Sequence, residues 1–359
     1  MREEPGVPLA SLTTMRVGGP AGRLLTAETT EQLVDAVRGV DDAQEPLLVL
    51  SGGSNLVVAD AGFAGTVVRV ATKGVTVEPG SAGDAPSCGG VLVRVAAGEP
   101  WDGLVARAVA EGWAGLEALS GIPGLTGATP IQNVGAYGQE VAQTIASVRT
   151  WDRAERRVRT FANADCGFSY RHSRFKGSDR HVVLEVVFQF ERGDLSRPLA
   201  YADLAAGLEV PLGARVPLAQ AREAVLAQRG RRGMVLAADD PDTWSCGSFF
   251  TNPILRAADF TALTERAAQR VGAGPPRWPE PGGGVKTSAA WLIDRAGYGK
   301  GFGLPGAAAL STKHTLAVTN RGGASAADII GLARQVRDGV EETFGVRLVN
   351  EPVLVGLHL

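Results

Sequence analysis

Three short segments of this 359-residue chain carry side chains able to do chemistry. The first is Tyr170-Arg171-His172-Ser173-Arg174-Phe175-Lys176. A guanidinium has a planar fork that can hold a carboxylate through both oxygens, and Tyr170 could stack on a ring or orient its neighbour. A solvated loop is the plain alternative. The second segment, Trp244-Ser245-Cys246-Gly247-Ser248-Phe249-Phe250-Thr251-Asn252-Pro253, sets a small hydroxyl between a glycine and two large aromatics. Its simplest reading is a turn feeding a buried aromatic strand. The sharper one is a Ser248 hydroxyl in a dry wall, placed to give or take a proton. No Gly-x-Ser-x-Gly elbow and no Ser/His/Asp triad is evident, which disfavours a serine hydrolase. The third segment is Val349-Asn350-Glu351-Pro352-Val353-Leu354-Val355. A carboxylate among apolar residues is costly to bury unless paired. Glu351 therefore reads as a strand-end residue facing water, as an acid of raised pKa, or as the partner of an arginine. Pro352 puts the segment at a strand start or sheet edge.

Two glycine-rich loops could serve such groups by holding a ligand. Gly121–Glu140 reads GIPGLTGATPIQNVGAYGQE and contains no lysine or arginine. Successive backbone N–H groups in turns of this kind form nests for anions, and glycine lets the backbone approach a ligand closely. Ser51-Gly52-Gly53-Ser54-Asn55-Leu56 has the same character and follows the strand-like run Leu47–Leu50. Two such loops suit a long ligand with a central diphosphate, such as a dinucleotide, although glycine loops are more often only turns. The P-loop pattern is absent, and no Gly-x-Gly-x-x-Gly sits between a strand and a helix.

The elements that must position these loops alternate in type. Thr29-Thr30-Glu31 opens a capped amphipathic helix with Leu33, Val34 and Val37 on one face. Strands are expected at Leu47–Leu50, Val67–Val70, Val91–Val95 and Val182–Phe190, and a helix from Trp101. The polar break at Glu191–Asp194 is the candidate domain boundary. Helices follow near Leu218–Ala227, Ala257–Arg270 and Ala326–Phe344, and Gly272–Gly284 reads as a long loop. This is an α+β pattern. The net charge of −2 leaves no basic footprint for nucleic acid. No apolar run approaches bilayer length, and the polar, acidic start does not read as a signal peptide. Cys88, Cys166 and Cys246 are too few for a disulfide framework, and four scattered histidines argue against a metal centre. A reducing, cytoplasmic setting is expected.

Taken in order, these motifs resemble the UDP-N-acetylenolpyruvoylglucosamine reductase family. The likeness runs from Thr13-Thr14-Met15-Arg16-Val17-Gly18-Gly19-Pro20-Ala21 through Ser51–Asn55, Gly121–Gly124, Gln132–Gly138, Tyr170-Arg171, Gly247–Pro253 and Ala290-Trp291-Leu292-Ile293-Asp294 to Glu351. Each motif is weak alone; their joint order is specific. The resemblance implies an α+β fold with a two-part FAD-binding domain of the vanillyl-alcohol-oxidase type, at 1–75 and 76–194. A substrate-binding domain would follow at 195–359, its extreme C-terminus returning to the active site. It implies NADPH-dependent reduction of UDP-N-acetylglucosamine enolpyruvate by a cytoplasmic, monomeric enzyme of peptidoglycan synthesis and cell-wall biogenesis.

By the same resemblance, the FAD residues are Ser51, Gly52, Gly53, Ser54, Asn55, Leu56, Gly121, Ile122, Pro123, Gly124, Gly127, Asn133, Val134, Gly135 and Ala136. Some relatives on this scaffold attach FAD through a histidine in the first loop. Ser54 and its neighbours include none, so the FAD is expected to be non-covalent. Hydride addition at the terminal vinyl carbon leaves charge on C2 and its carboxylate. Arg171 matches the arginine that stabilises this charge, Glu351 the glutamate that polarises the carboxylate, and Ser248 the proton donor to C2. Tyr170, Tyr201, Arg232 and Asn252 match substrate contacts, Tyr201 on a mobile loop of the type I branch. Arg232 stands where the family usually has lysine, and Cys246 before Gly247 is unusual. Another FAD oxidase or dehydrogenase, and a non-catalytic nucleotide-binding module, are the alternatives.

Overall fold

The computed structural model describes residues 1–78, 90–280 and 282–359. Cys88, and Pro281 within the Gly272–Gly284 stretch, lie outside the described residues. The chain divides into two compact units. One comprises 1–7, 21–52 and 64–231, and the other 8–20, 53–63 and 232–359. The contacts therefore part after Arg231, not at the polar break near 194. That break begins inside the strand His181–Arg192, which takes in Glu191 and Arg192. Residues 195–231 stay with the first unit, because the Arg197 amide donates to buried Glu117 Oε1 at 2.7 Å and Arg222 pairs with Asp102.

Two larger sheets build most of the first unit. Arg2–Pro5, Ala21–Ala27, Phe63–Val70 and Leu47–Leu50 lie side by side in that order. The last two run parallel. The second sheet has the order Arg157–Ala162, Ile145–Asp152, His181–Arg192, Val91–Ala96, Val75–Val77, and its pairs are antiparallel. Its central strand reads HVVLEVVFQFER and is buried on both faces over Val182–Leu184 and Val186–Phe188, as apolar β-branched runs favour. The helix Thr30–Asp42 starts where Thr29 Oγ1 accepts from Gln32 N, the cap its sequence suggests. Its Leu33, Ala36 and Val37 join one core with Trp101, Leu104 and Val105 of the helix Trp101–Ala110. A smaller apolar cluster gathers Leu199, Leu204, Val216, Ala221 and Val225.

The second unit packs the helices Ala257–Val271, Ala289–Arg295 and Ala326–Phe344 around one core. The last has the expected limits. Ser325 and Asp328 close a capping box at its start, and Gly345 ends it at φ 66°. Asp60 accepts from the Ala326 and Ala327 amides at 2.7 and 3.0 Å, a carboxylate at the positive end of the helix. Leu56–Val58 pairs in parallel with Val353–Val355. Among the described residues no helix is long and apolar enough to cross a membrane.

Candidate active site

The two glycine loops meet. A Cβ built on Gly52 would lie 2.6 Å from Gly124 Cα and 3.1 Å from Leu125 N. No side chain fits there, so glycine at 52 is what lets the loops touch backbone to backbone. Beside this contact, the Ser51 hydroxyl oxygen is buried and has no hydrogen-bond partner in the protein. An orphaned buried hydroxyl is costly, and a polar ligand on the loop would supply the missing partner. This cradle fits a cofactor phosphate held without basic side chains.

The helix Trp101–Ala110 anchors the start of the second loop by two bonds. The Trp101 amide donates to Gly124 O at 3.0 Å, and Asp102 Oδ1 accepts from the Gly121 amide at 2.6 Å. Asp102 also takes Arg222 through two bonds of 2.7 and 2.8 Å. Although its burial opposes ionisation, Arg222 and the Gly121 amide hold its carboxyl below the usual range. Gly127 is needed for packing: its Cβ would fall 2.5 Å from Ala97 Cβ, and its amide donates to Ala97 O. Thus the Gly121 and Gly127 amides are committed to building the loop. Asp102 and Arg222 carry no motif and were invisible to sequence reading.

Gly135 and Ala136 form a two-residue ladder with Gln139 and Glu140. Tyr137, at φ 50°, makes the turn with Gly138. Arg171 lies in the same unit, and its Nη2 donates to Gly135 O at 2.7 Å. Its guanidinium stands over the Tyr170 ring at 5.2 Å. Tyr201 packs edge-on against Tyr137 with centroids 5.2 Å apart. Desolvation lowers the pKa of Arg229, against the pull of Tyr137 and Asp102.

The second unit assembles the other expected groups. Gly53 belongs to it, and a Cβ there would strike Leu12 O at 2.0 Å. The Thr14 amide donates to Gly53 O at 3.1 Å, and its hydroxyl donates to Ser245 O at 2.7 Å. One threonine thus ties the end of the first glycine loop to the turn that carries Ser248. The Thr13-Thr14-Met15-Arg16 run was visible, but its role was not. Gly247 turns at φ 72°, and the half-buried Ser248 precedes the fully buried Phe249 and Phe250. The Glu351 amide donates to Phe249 O at 2.8 Å, and Phe250 bridges Asn350. Asn55 Nδ2 donates to Glu351 O at 3.3 Å. Ser248 and Glu351, about a hundred residues apart in sequence, therefore sit on neighbouring backbones with Asn55 alongside. Leu56 is buried and contributes its carbonyl to Cys246 Sγ at 3.3 Å. Asn252 Oδ1 accepts from Ala289 N at 3.0 Å at the start of the helix Ala289–Arg295, and Arg232 opens this unit, half-buried.

Residues 21–160 match the profile of an FAD binding domain, and residues 239–355 that of the UDP-N-acetylenolpyruvoylglucosamine reductase C-terminal domain. A UDP-N-acetylenolpyruvoylglucosamine reductase of Thermobifida fusca is 56% identical over 98% of both chains. The chain belongs to the UDP-N-acetylenolpyruvoylglucosamine reductase family. A Streptomyces coelicolor reductase of the same name is 54% identical over 100% of this chain and 92% of its own. The crystal structure of the Thermus caldophilus reductase superposes with a TM-score of 0.65 at 27% identity, covering 99% of each chain. The α+β fold with an FAD-binding domain is thus that of this reductase family, and the enzyme is a flavin oxidoreductase.

Proposed function

We propose that this reductase converts UDP-N-acetylglucosamine enolpyruvate to UDP-N-acetylmuramate with electrons from NADPH, as a cytoplasmic step of peptidoglycan precursor synthesis. The observation that carries this reading is the end-to-end identity with reductases of that name, 56% over 98% of both chains in one case. Ser51, Gly52 and Gly124 would hold FAD through backbone groups and one hydroxyl, without a covalent bond. Bound FAD supplies hydride transfer between the nicotinamide and the enolpyruvyl double bond.

The chain's own groups handle the charge and the proton. When hydride reaches C3, an electron pair develops on C2 and spreads into the carboxylate. Arg171, already oriented by Gly135 O, stabilises that charge; removing such a donor costs about 10²–10³-fold. Ser248 Oγ gives its proton to C2 and recovers one from solvent. Glu351, in its acid form, donates to the substrate carboxylate and polarises it. Tyr170, Tyr201, Asn252 and Arg232 contact the rest of the nucleotide sugar, with Arg232 replacing the usual lysine as the phosphate partner.

An anaerobic spectrum tests the whole reading. NADPH should bleach the flavin absorbance of the purified protein, and the enolpyruvyl nucleotide should restore it without oxygen. Reoxidation that needs oxygen would instead establish an oxidase on this scaffold. A protein that takes up no FAD would establish a nucleotide-binding module.

A further inference from the structure

Asn133 is 1% exposed and sits at φ 48°, a left-handed backbone that asparagine tolerates better than most residues. Its Nδ2 donates to Glu140 Oε2 at 2.8 Å and to Ser169 O at 3.0 Å, and its Oδ1 accepts from the Ala142 amide at 3.1 Å. A carboxamide has two N–H donors, and both are committed inside the protein. Ser169 and His172 exchange backbone hydrogen bonds of 3.0 and 3.1 Å. Tyr170 and Arg171 are the two residues at the tip of this tight turn, and Arg171 has φ 52°. Such a backbone persists in a non-glycine residue only where its surroundings hold it. Asn133 holds the turn by its first carbonyl. Two residues further along the same loop, Gly135 O takes the guanidinium at 2.7 Å. A Cβ on Gly135 would stand 3.1 Å from Arg171 Nη1 and 2.9 Å from Glu140 Cγ. The loop thus grips the arginine turn at its backbone and at its charged end.

We infer that Asn133 is a positioning residue for Arg171, and that its carboxamide serves the arginine turn instead of the flavin. This rests on the reading of Arg171 as the stabiliser of charge on the substrate carboxylate. It separates two roles within one glycine loop. The Gly121–Gly124 end touches Gly52 and belongs to the cofactor, whereas the Asn133–Gly135 end sets the group that meets the substrate.

The experiment compares two variants of the holoenzyme. Asn133→Gly keeps a residue suited to positive φ and removes the carboxamide. Asn133→Asp keeps the acceptor for Ala142 and removes both donors. FAD affinity, flavin reduction by NADPH and anaerobic reoxidation by the enolpyruvyl nucleotide are measured separately. Misplacement of a reacting group by about 1 Å costs about 10²-fold, and that loss is expected in reoxidation alone. FAD affinity and reduction by NADPH should stay within about threefold of wild type. Parallel weakening of FAD binding would make Asn133 a cofactor ligand and overturn the inference. If neither variant survives the assay temperature, Gly135→Ala crowds Arg171 from the same loop and must give the same selective loss. Arg171→Lys serves as the control. Normal reoxidation there overturns the charge-stabiliser reading and this inference with it. Slow reoxidation there beside normal Asn133 variants overturns the inference alone.

Discussion

Gly52 and Gly124 lie backbone against backbone, so close that a methyl group on Gly52 would stand 2.6 Å from the other's Cα. Two loops about seventy residues apart in sequence become one cradle through a contact that only glycine permits. Gly52→Ala should therefore push the loops apart, and forced overpacking of this kind costs about 1–3 kcal/mol. The expected result is protein purified with substoichiometric flavin and a raised FAD dissociation constant, read by equilibrium dialysis. Full retention of flavin at wild-type affinity would mean the contact is incidental.

The flavin should come off without breaking a covalent bond. None of the four histidines, at 172, 181, 314 and 358, falls in the first glycine loop. His181 is buried against Phe161 and Phe175 instead, with centroids 5.1 and 5.9 Å away. Acid precipitation of the holoenzyme should leave a yellow supernatant and a colourless pellet. A yellow pellet would show a linkage that neither the loop nor its neighbours suggest.

Ser248→Ala should divide the two half-reactions. The serine's turn is held by Thr14, by Gly247 at positive φ and by the two buried phenylalanines, none of which uses the Ser248 hydroxyl. The variant should fold, bind FAD and be reduced by NADPH at the normal rate. Substrate reduction should fall by about 10²–10⁴-fold, the usual loss of a positioned proton donor. Stopped-flow traces of each half-reaction would decide, and equal slowing of both would refute the proton-donor role.

Much of this arrangement was legible from local sequence, and the rest was not for a definite reason. The Leu47–Leu50 strand and the Ala326–Phe344 helix have the expected limits, because apolar period and capping are local properties. The Ser248 and Glu351 motifs were visible as residue types out of place. The division into units was not legible. Residues 8–20 and 53–63 join the C-terminal part through contacts such as Thr14 with Ser245, 231 positions apart, which no periodicity encodes. The polar break near 194 resembled a boundary, yet Glu117, buried and bonded to Gln139 and the Arg197 amide, keeps the following segment with the first unit. Asn133 stood among the FAD residues by family resemblance alone; that its two donors go to Glu140 Oε2 and Ser169 O depends on contacts no local pattern announces.

Cys246 should be unreactive in the native enzyme despite its place two residues before Ser248. Burial pushes its thiol up to about 12, only partly offset by the hydrogen bond to Leu56 O. At pH 8 about one thiol in 10⁴ is then ionised, and the thiolate is the nucleophile. Peptide mapping after iodoacetamide treatment should find Cys246 unmodified in folded protein and modified in urea. Rapid labelling without unfolding would contradict the packing role.

Acid should destabilise the first unit through Asp152. Its carboxylate is fully buried and takes Arg180 by three contacts of 2.8–3.1 Å, with the Ala154 and Glu155 amides at 3.1 Å. Arg159 and His181 also face it, at 3.5 and 3.9 Å. The Arg180 guanidinium, more than any other neighbour, holds the Asp152 carboxyl far below the usual carboxylate range. A depressed folded-state pKa means the contribution is fully present above the ordinary aspartate value of about 3.9. It fades as pH falls below that value toward the folded one. At pH 7 the bonds to this charge are worth about 1–3 kcal/mol, with the partly exposed Arg180 screened by solvent. Asp152→Asn should lower the urea midpoint at pH 7 and flatten its decline between pH 5 and pH 3. A variant whose midpoint falls with acid as steeply as wild type would place the acid sensitivity elsewhere.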